Sequence, residues 1–292
     1  MADSVRGLAG DFKRFLAAQE EDELLDISRP REETFSPAAV HHSAGVSVGP
    51  APKMAENSTL TVDFPRATVK TQPISSAEEL AMKKSDKTAA LAELAEVIKT
   101  CSRCPLGATR LNAVPGEGNV NADVMFVGEG PGFDEDRQGR PFVGRAGQLL
   151  DKMILAMGLT REKVFIANIA KCHPMVDPLH PEKHGNDRAP NAQEIACCRK
   201  YIERQIAIVC PKYVIALGGV AAKALISDAS SLGALRGKFH NLHLDSVELS
   251  KPVQIIATYH PAALLRNPNW KKDAWQDLQM VMDKLGLKGA RK

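Results

Sequence analysis

Four short apolar runs, each followed by a helical pattern, constrain this 292-residue chain more than any other feature. DVMFVGEG (123–130), KVFIANIAK (163–171), KYVIALGG (212–219) and VQIIATYH (253–260) are compact, rich in β-branched residues and bounded by polar or glycine breaks, so they read as strands. AGQLLDKMILAMG (146–158) sets Leu149, Leu150, Met153 and Ile154 on one helical face. EIACCRKYIERQIAIV (194–209), VAAKALI and a closing WKKDAWQDLQMVMDKLG supply the other helices. Strands apolar on both sides, alternating with helices, predict an α/β fold: three α/β/α layers around a central, mainly parallel four-stranded sheet. Ligands of such folds lie beyond the carboxyl ends of the strands. The informative segments are therefore 128–132, 168–172 and 260–266.

Order is expected from about residue 84, where TAALAELAEVIKT reads as a helix carrying Leu91, Leu94 and Ile98. Residues 86–292 then form the folded domain and residues 1–85 an N-terminal extension. Val5, Leu8, Phe12, Phe15 and Leu16 lie close to helical spacing within 1–25, a frayed segment or a docking helix for a protein partner. The following Ser-, Pro-, Ala- and charge-rich stretch keeps no period and reads as a disordered linker. Residues 1–90 hold 11 Lys and Arg against 14 Asp and Glu, so the remainder is modestly basic. That balance tolerates a polyanion without identifying one. No apolar run approaches the ~20 residues of a membrane helix, and the first residues lack the apolar core of a secretory signal. A cytoplasmic monomer without membrane contact is expected. Six cysteines in that setting point to metal or cluster ligands rather than disulfides.

Cys101 and Cys104, followed by Pro105, have the spacing at which two thiolates grip one metal or one cluster face. Cys172, Cys197, Cys198 and Cys210 are the candidates to complete the set. A zinc ribbon usually shows a second C-x-x-C knuckle, whereas the dispersed later cysteines suit an iron–sulfur cluster better. Gly128-Glu129-Gly130-Pro131-Gly132 ends the first strand and lets backbone approach a flat or anionic ligand, but it lacks the third glycine of a dinucleotide fingerprint. Phe142, in a Gly- and Arg-rich loop, reads as a ring offered to a pocket rather than to the core. Asn168 interrupts an apolar strand with an amide that presents one donor and one acceptor. His260, before Pro261 at a strand end, is placed to donate to an oxygen that gains charge.

Taken together, CSRCPL, FVGEGPGFDED, GRPFVGRAGQLLD, NIAKC, Cys198, PKYVIALG and HPAALLRNP resemble the family 4 uracil-DNA glycosylases, over roughly residues 88–287. The resemblance implies a [4Fe–4S] cluster on Cys101, Cys104, Cys172 and Cys198. It implies that Gly128, Glu129 and Gly130 line a uracil pocket, that Phe142 stacks on the base and that Asn168 reads its polar edge. His260 would contact a carbonyl oxygen, and Arg266 would belong to the loop that enters uracil-containing DNA. Catalysis would fall to His260, Asn168 and Glu129, the last either acting on water or shaping the pocket. The stretch between Cys172 and Cys198 is longer than family 4 usually has. Family-X glycosylases also carry an inserted loop there, with a histidine that traps the sugar covalently. This makes His180 and His184 residues to place, although the Arg-Arg-Ile-His signature is missing. An iron–sulfur electron-transfer protein is the remaining alternative.

Overall fold

The computed structural model describes residues 84–228 and 230–289. The helix, linker and partner surface expected before residue 84 lie outside the described residues. In chain order the elements are α1 (Lys84–Lys99), α2 (Leu106–Thr109), β1 (Glu117–Gly118), β2 (Val124–Gly128), α3 (Phe133–Gln138), α4 (Arg145–Ala156) and β3 (Phe165–Asn168). Then come α5 (Ala192–Val209), β4 (Tyr213–Leu217), α6 (Gly219–Ile226), α7 (Leu232–Leu235), β5 (Phe239–Asn241), β6 (Gln254–Thr258), α8 (Pro261–Arg266) and α9 (Lys271–Leu285). No described helix is long and apolar enough to cross a membrane.

The sheet has six strands in the order β1-β3-β2-β4-β6-β5, not four. The four expected strands form its parallel centre, and β1 and β5 add antiparallel edges beside β3 and β6. Those edges are two and three residues long and carry Glu117, Gly118, His240 and Asn241, so neither has an apolar period to read. Alternation along the strands sorts their side chains into two layers. Phe126, Ile166, Ile215, Leu217 and Ile256 pack with Leu150, Met153 and Ile154 of α4 and with Trp275 and Leu278 of α9. Met125, Val127, Ala167, Val214 and Ile255 pack on the opposite face with Ile202 and Ile206 of α5 and Leu225 of α6. Helix α1 stands outside this sandwich, joining Leu94 and Ile98 to Cys198, Tyr201 and Ile208 on α5.

Parallel pairing brings the strand ends to one edge. Gly128 pairs with Asn168, and Leu217 with Thr258. The last of these ends is fastened by a buried carboxylate. Asp277 of α9 accepts from Thr258 Oγ1 at 2.7 Å, Arg236 Nε at 3.1 Å and the Gly237 backbone N–H at 3.0 Å. Removing it leaves a partly buried guanidinium and a buried hydroxyl without their acceptor. Asp277→Ala is expected to cost roughly 3 kcal/mol, the low end for stripping one partner from a buried pair. Denaturant unfolding of the variant checks this, and a loss under about 1 kcal/mol would mean that the anchor contributes little.

Candidate active site

A cleft of about 510 Å³ opens beyond the strand ends. Glu129, Gly130, Phe142, Asn168, His260 and Arg266 all line it, drawn from the β2, β3 and β6 ends and from the 139–144 loop. Gly128 lies beneath rather than in the wall. A Cβ there would collide with Asn168 Oδ1 and the Phe142 ring, so glycine is what lets amide and ring close over the strand end. Asn168 is 1% exposed and its Oδ1 has no hydrogen-bond donor in reach. A buried acceptor of this kind is costly until a partner supplies a proton.

Phe142 departs from the reading that kept its ring out of the core. It is 5% exposed and belongs to the α4–α9 layer, while its edge reaches the cleft 5.6 Å from the His260 ring, centroid to centroid. Its φ of +52° is a conformation that bulky residues avoid, so the surroundings must hold it. Two charged side chains do so, neither of which its own local pattern announces. Glu135 Oε1 accepts from the backbone N–H groups of Val143 and Gly144 at 2.8 and 3.0 Å. Arg161 Nη1 donates to Phe142 O at 3.1 Å and Nη2 donates to Pro141 O. Gly147, on the first turn of α4, has no Cβ to strike the Phe142 carbonyl. Glu135 sits at the N3 position of α3, where a capping-box acid is expected, but Arg161 reaches back 19 residues and leaves no local trace.

His260 caps α8, and its Nδ1 accepts from the Ala262 N–H at 3.2 Å. An accepting Nδ1 leaves the ring proton on Nε2. Burial, and then the Arg266 charge, push its pKa down to about 4, so the ring is neutral at neutral pH. Burial alone raises the Glu129 carboxyl above its ordinary value. Arg145 and Arg188 add positive charge to the rim, Arg188 being held by Glu194 at 2.7 and 2.8 Å. Asp187, Arg188, Ala189 and Pro190 of the long loop also line the cleft, which no motif foretold. His180 and His184 do not line it: His180 is exposed beside Glu182, and the His184 ring packs 3.7 Å from that of Phe133.

The expected cysteine ligands occupy a second region. Cys101 follows α1, Cys198 lies on α5 and Cys172 follows β3, and the last two are buried. Tyr201 Oη donates to Cys101 Sγ at 3.2 Å, and Arg110 Nη1 donates to Cys172 Sγ at 2.8 Å. Arg110 also donates through Nη2 to Lys99 O, which ties the Cys172 segment to the end of α1. Burial raises the Cys172 thiol and lifts that of Cys198 to about 11, and the neighbouring cysteine charges add to both. Cys197 instead directs its thiol to Arg103 O at 3.6 Å, and Cys210 lies apart near Ser250. Among the described residues, no three His, Cys, Asp or Glu side chains gather as a site for a single metal ion.

The profile of the uracil DNA glycosylase superfamily matches residues 115–279. A type-4 uracil-DNA glycosylase of Pyrobaculum aerophilum is 43% identical over 194 residues, covering 65% of this chain and 92% of that protein. The chain belongs to the type-4 uracil-DNA glycosylases. A second type-4 enzyme, from Archaeoglobus fulgidus, is 35% identical over 68% of this chain and 94% of its own length. A type-5 enzyme of Pyrobaculum aerophilum matches more weakly, at 30% identity over 66% of its length. In this type-4 member the aligned part takes in the whole cleft, and the N-terminal extension falls outside the superfamily match.

The depressed pKa of His260 has a consequence for stability. Between about 4 and the ordinary value near 6.5, the unfolded chain binds this proton and the folded chain does not. Stability from this group therefore falls as pH drops through that window and is constant above it. His260→Gln is expected to flatten the slope of Tm against pH in that interval and to leave it unaltered above about pH 7. An unchanged slope would mean that the ring titrates normally.

Proposed function

We propose that the cleft removes uracil from DNA by hydrolysing the N-glycosidic bond, releasing free uracil and leaving an abasic site for base excision repair. The observation that carries the reading is the unpartnered, buried Asn168 Oδ1 beside the Phe142 ring and the neutral His260, in a chain of this family. Uracil within a duplex is out of reach, so the nucleotide is turned out into the cleft at a cost of a few kcal/mol. There the Phe142 edge borders the base, and the imide N–H of uracil satisfies Asn168 Oδ1. His260 donates its Nε2–H to a uracil carbonyl oxygen.

Cleavage of the bond leaves positive charge on the sugar and negative charge on the departing base. The His260 hydrogen bond strengthens as that oxygen gains charge, so it favours the transition state over the bound substrate. Water then bonds to the sugar carbon and gives up a proton, and uracil leaves as the anion and is protonated in turn. Glu129, half-buried in the cleft wall with its pKa raised by burial, is the carboxylate suited to hold that water and take its proton. Arg266 and Arg145 at the rim face the phosphates.

His260→Ala is expected to lower single-turnover uracil release by about 10²–10³ with little change in affinity for an abasic duplex. Asn168→Ala should lower the rate and also admit cytosine, whose donor and acceptor are reversed at the reading position. Wild-type protein that binds the duplex and releases no uracil would remove the enzyme reading.

The four thiols of Cys101, Cys104, Cys172 and Cys198 suit a [4Fe–4S] cluster, one thiolate to each iron. The Tyr201 and Arg110 bonds to sulfur are of the kind that surrounds and tunes such ligands. When bound, the cluster would cross-link α1, the end of β3 and α5, and hydrolysis asks no electron of it. Cys198→Ser is expected to bleach the protein and Cys197→Ser to leave its colour. Zinc without iron or sulfide in the purified chain would overturn this assignment.

A further inference from the structure

We infer that Trp270 is a stacking platform for an unpaired base of the DNA strand beside the turned-out nucleotide; the inference rests on the glycosylase reading above. Among the described residues, Trp270 is the one aromatic in the set of exposed large apolar side chains, at 38%. Its ring is not loose. It lies on the Tyr259 ring at 4.8 Å and 8°, and the Arg236 guanidinium stands 5.3 Å from the Tyr259 ring. A ring has two faces, and stacking on Tyr259 occupies one of them. Trp270 ends the short turn Pro268–Trp270 and leads directly into α9. The indole is therefore fixed before any ligand arrives, and little side-chain entropy is left to lose on stacking.

Its position gives the platform a purpose. Tyr259 immediately precedes His260, and Trp270 follows Arg266 by four residues. The stacked pair thus brackets α8, the helix that brings His260, Ala262 and Arg266 to the cleft. Arg266 and Lys272 are exposed on either side of Trp270 in sequence, whereas the adjacent carboxylate, Asp273, faces Arg236 at 3.7 Å. An exposed ring flanked by cations matches a strand that carries bases and phosphates together. Bases inside a duplex are already stacked on their neighbours. Turning one nucleotide out frees the face of the next, and that face is what the open side of Trp270 fits.

The chain has two tryptophans, and the other, Trp275, is 2% exposed, so intrinsic emission reports on Trp270. A fluorescently labelled, uracil-free single strand is titrated into the full chain, with anisotropy reporting binding and tryptophan emission reporting stacking. Emission is expected to fall in step with anisotropy. Replacing successive nucleotides by abasic units keeps the phosphates, and quenching should vanish when the missing base is the one on the ring. Trp270→Leu covers Tyr259 with apolar surface but offers no π face, and it should weaken single-strand binding about tenfold or more. Trp270→Phe should stay within about twofold of wild type. Emission unchanged at saturating anisotropy, a strand that does not bind, or Leu and wild-type proteins of equal affinity would each overturn the platform. Uracil release is assayed on the same wild-type sample. Release without quenching removes only the platform, and quenching without release removes only the glycosylase reading.

Discussion

The absence of one methyl group at Gly128 is the constraint around which the cleft is arranged. Because no Cβ stands there, the Asn168 amide and the Phe142 ring both reach the end of β2. The ring arrives only by holding φ at +52°, a conformation that costs on the order of 1–3 kcal/mol for a non-glycine residue. Glu135 and Arg161 offset that cost from opposite sides, the first through the two N–H groups after Phe142 and the second through the two carbonyls at and before it. Arg161 is in turn fixed by Glu117 at 2.7 Å and Asp151 at 2.9 Å. The geometry of the aromatic wall is thus set by charged groups, most of which never meet the ligand.

A second line of support runs beneath Asn168. Lys171, 1% exposed, donates its ammonium to Asn168 O and to Gln205 Oε1, both at 2.7 Å. Gln205 on α5 passes the contact on to Pro115 O at 2.7 Å. The next residue after Lys171 is Cys172, so the segment that carries a cysteine also fixes the backbone of the residue proposed to read the base. A structural cluster joining α1, the β3 end and α5 would act on the cleft through this path. Loss of such a cross-link would then disturb base recognition although no electron moves.

Sequence patterns made the parallel centre of the sheet legible because each strand is apolar on both faces, and burial of both faces is what such a strand requires. The edges escaped notice because two or three residues cannot show a period, and Glu117 and Asn241 lie at an edge that tolerates polar groups. Gly128, Glu129, Gly130, Asn168 and His260 stood out as polar or glycine residues where an apolar strand should continue. Phe142 stood out for the wrong reason. A glycine-rich surrounding suggested an exposed ring, whereas those glycines let neighbouring backbone close tightly over a buried one. Arg161 and the 187–190 segment were illegible because their roles depend on long-range folding that no local spacing encodes.

The two titratable groups of the cleft are shifted in opposite directions, yet toward the same end. Burial raises Glu129 and, together with the Arg266 charge, lowers His260, so each is moved toward its neutral form. A permanently charged imidazolium would attract the neutral base and the departing anion alike, and it would carry a desolvation cost in the empty cleft. A neutral Nε2–H is a modest partner for the carbonyl of bound uracil and a much better one as negative charge gathers there. The gain is therefore concentrated in bond breaking, where it raises the rate rather than the affinity. Arg266 serves both ends of this arrangement. From the rim it keeps the ring deprotonated through its charge, and it faces the phosphates of a strand whose approach would itself partly neutralise that charge.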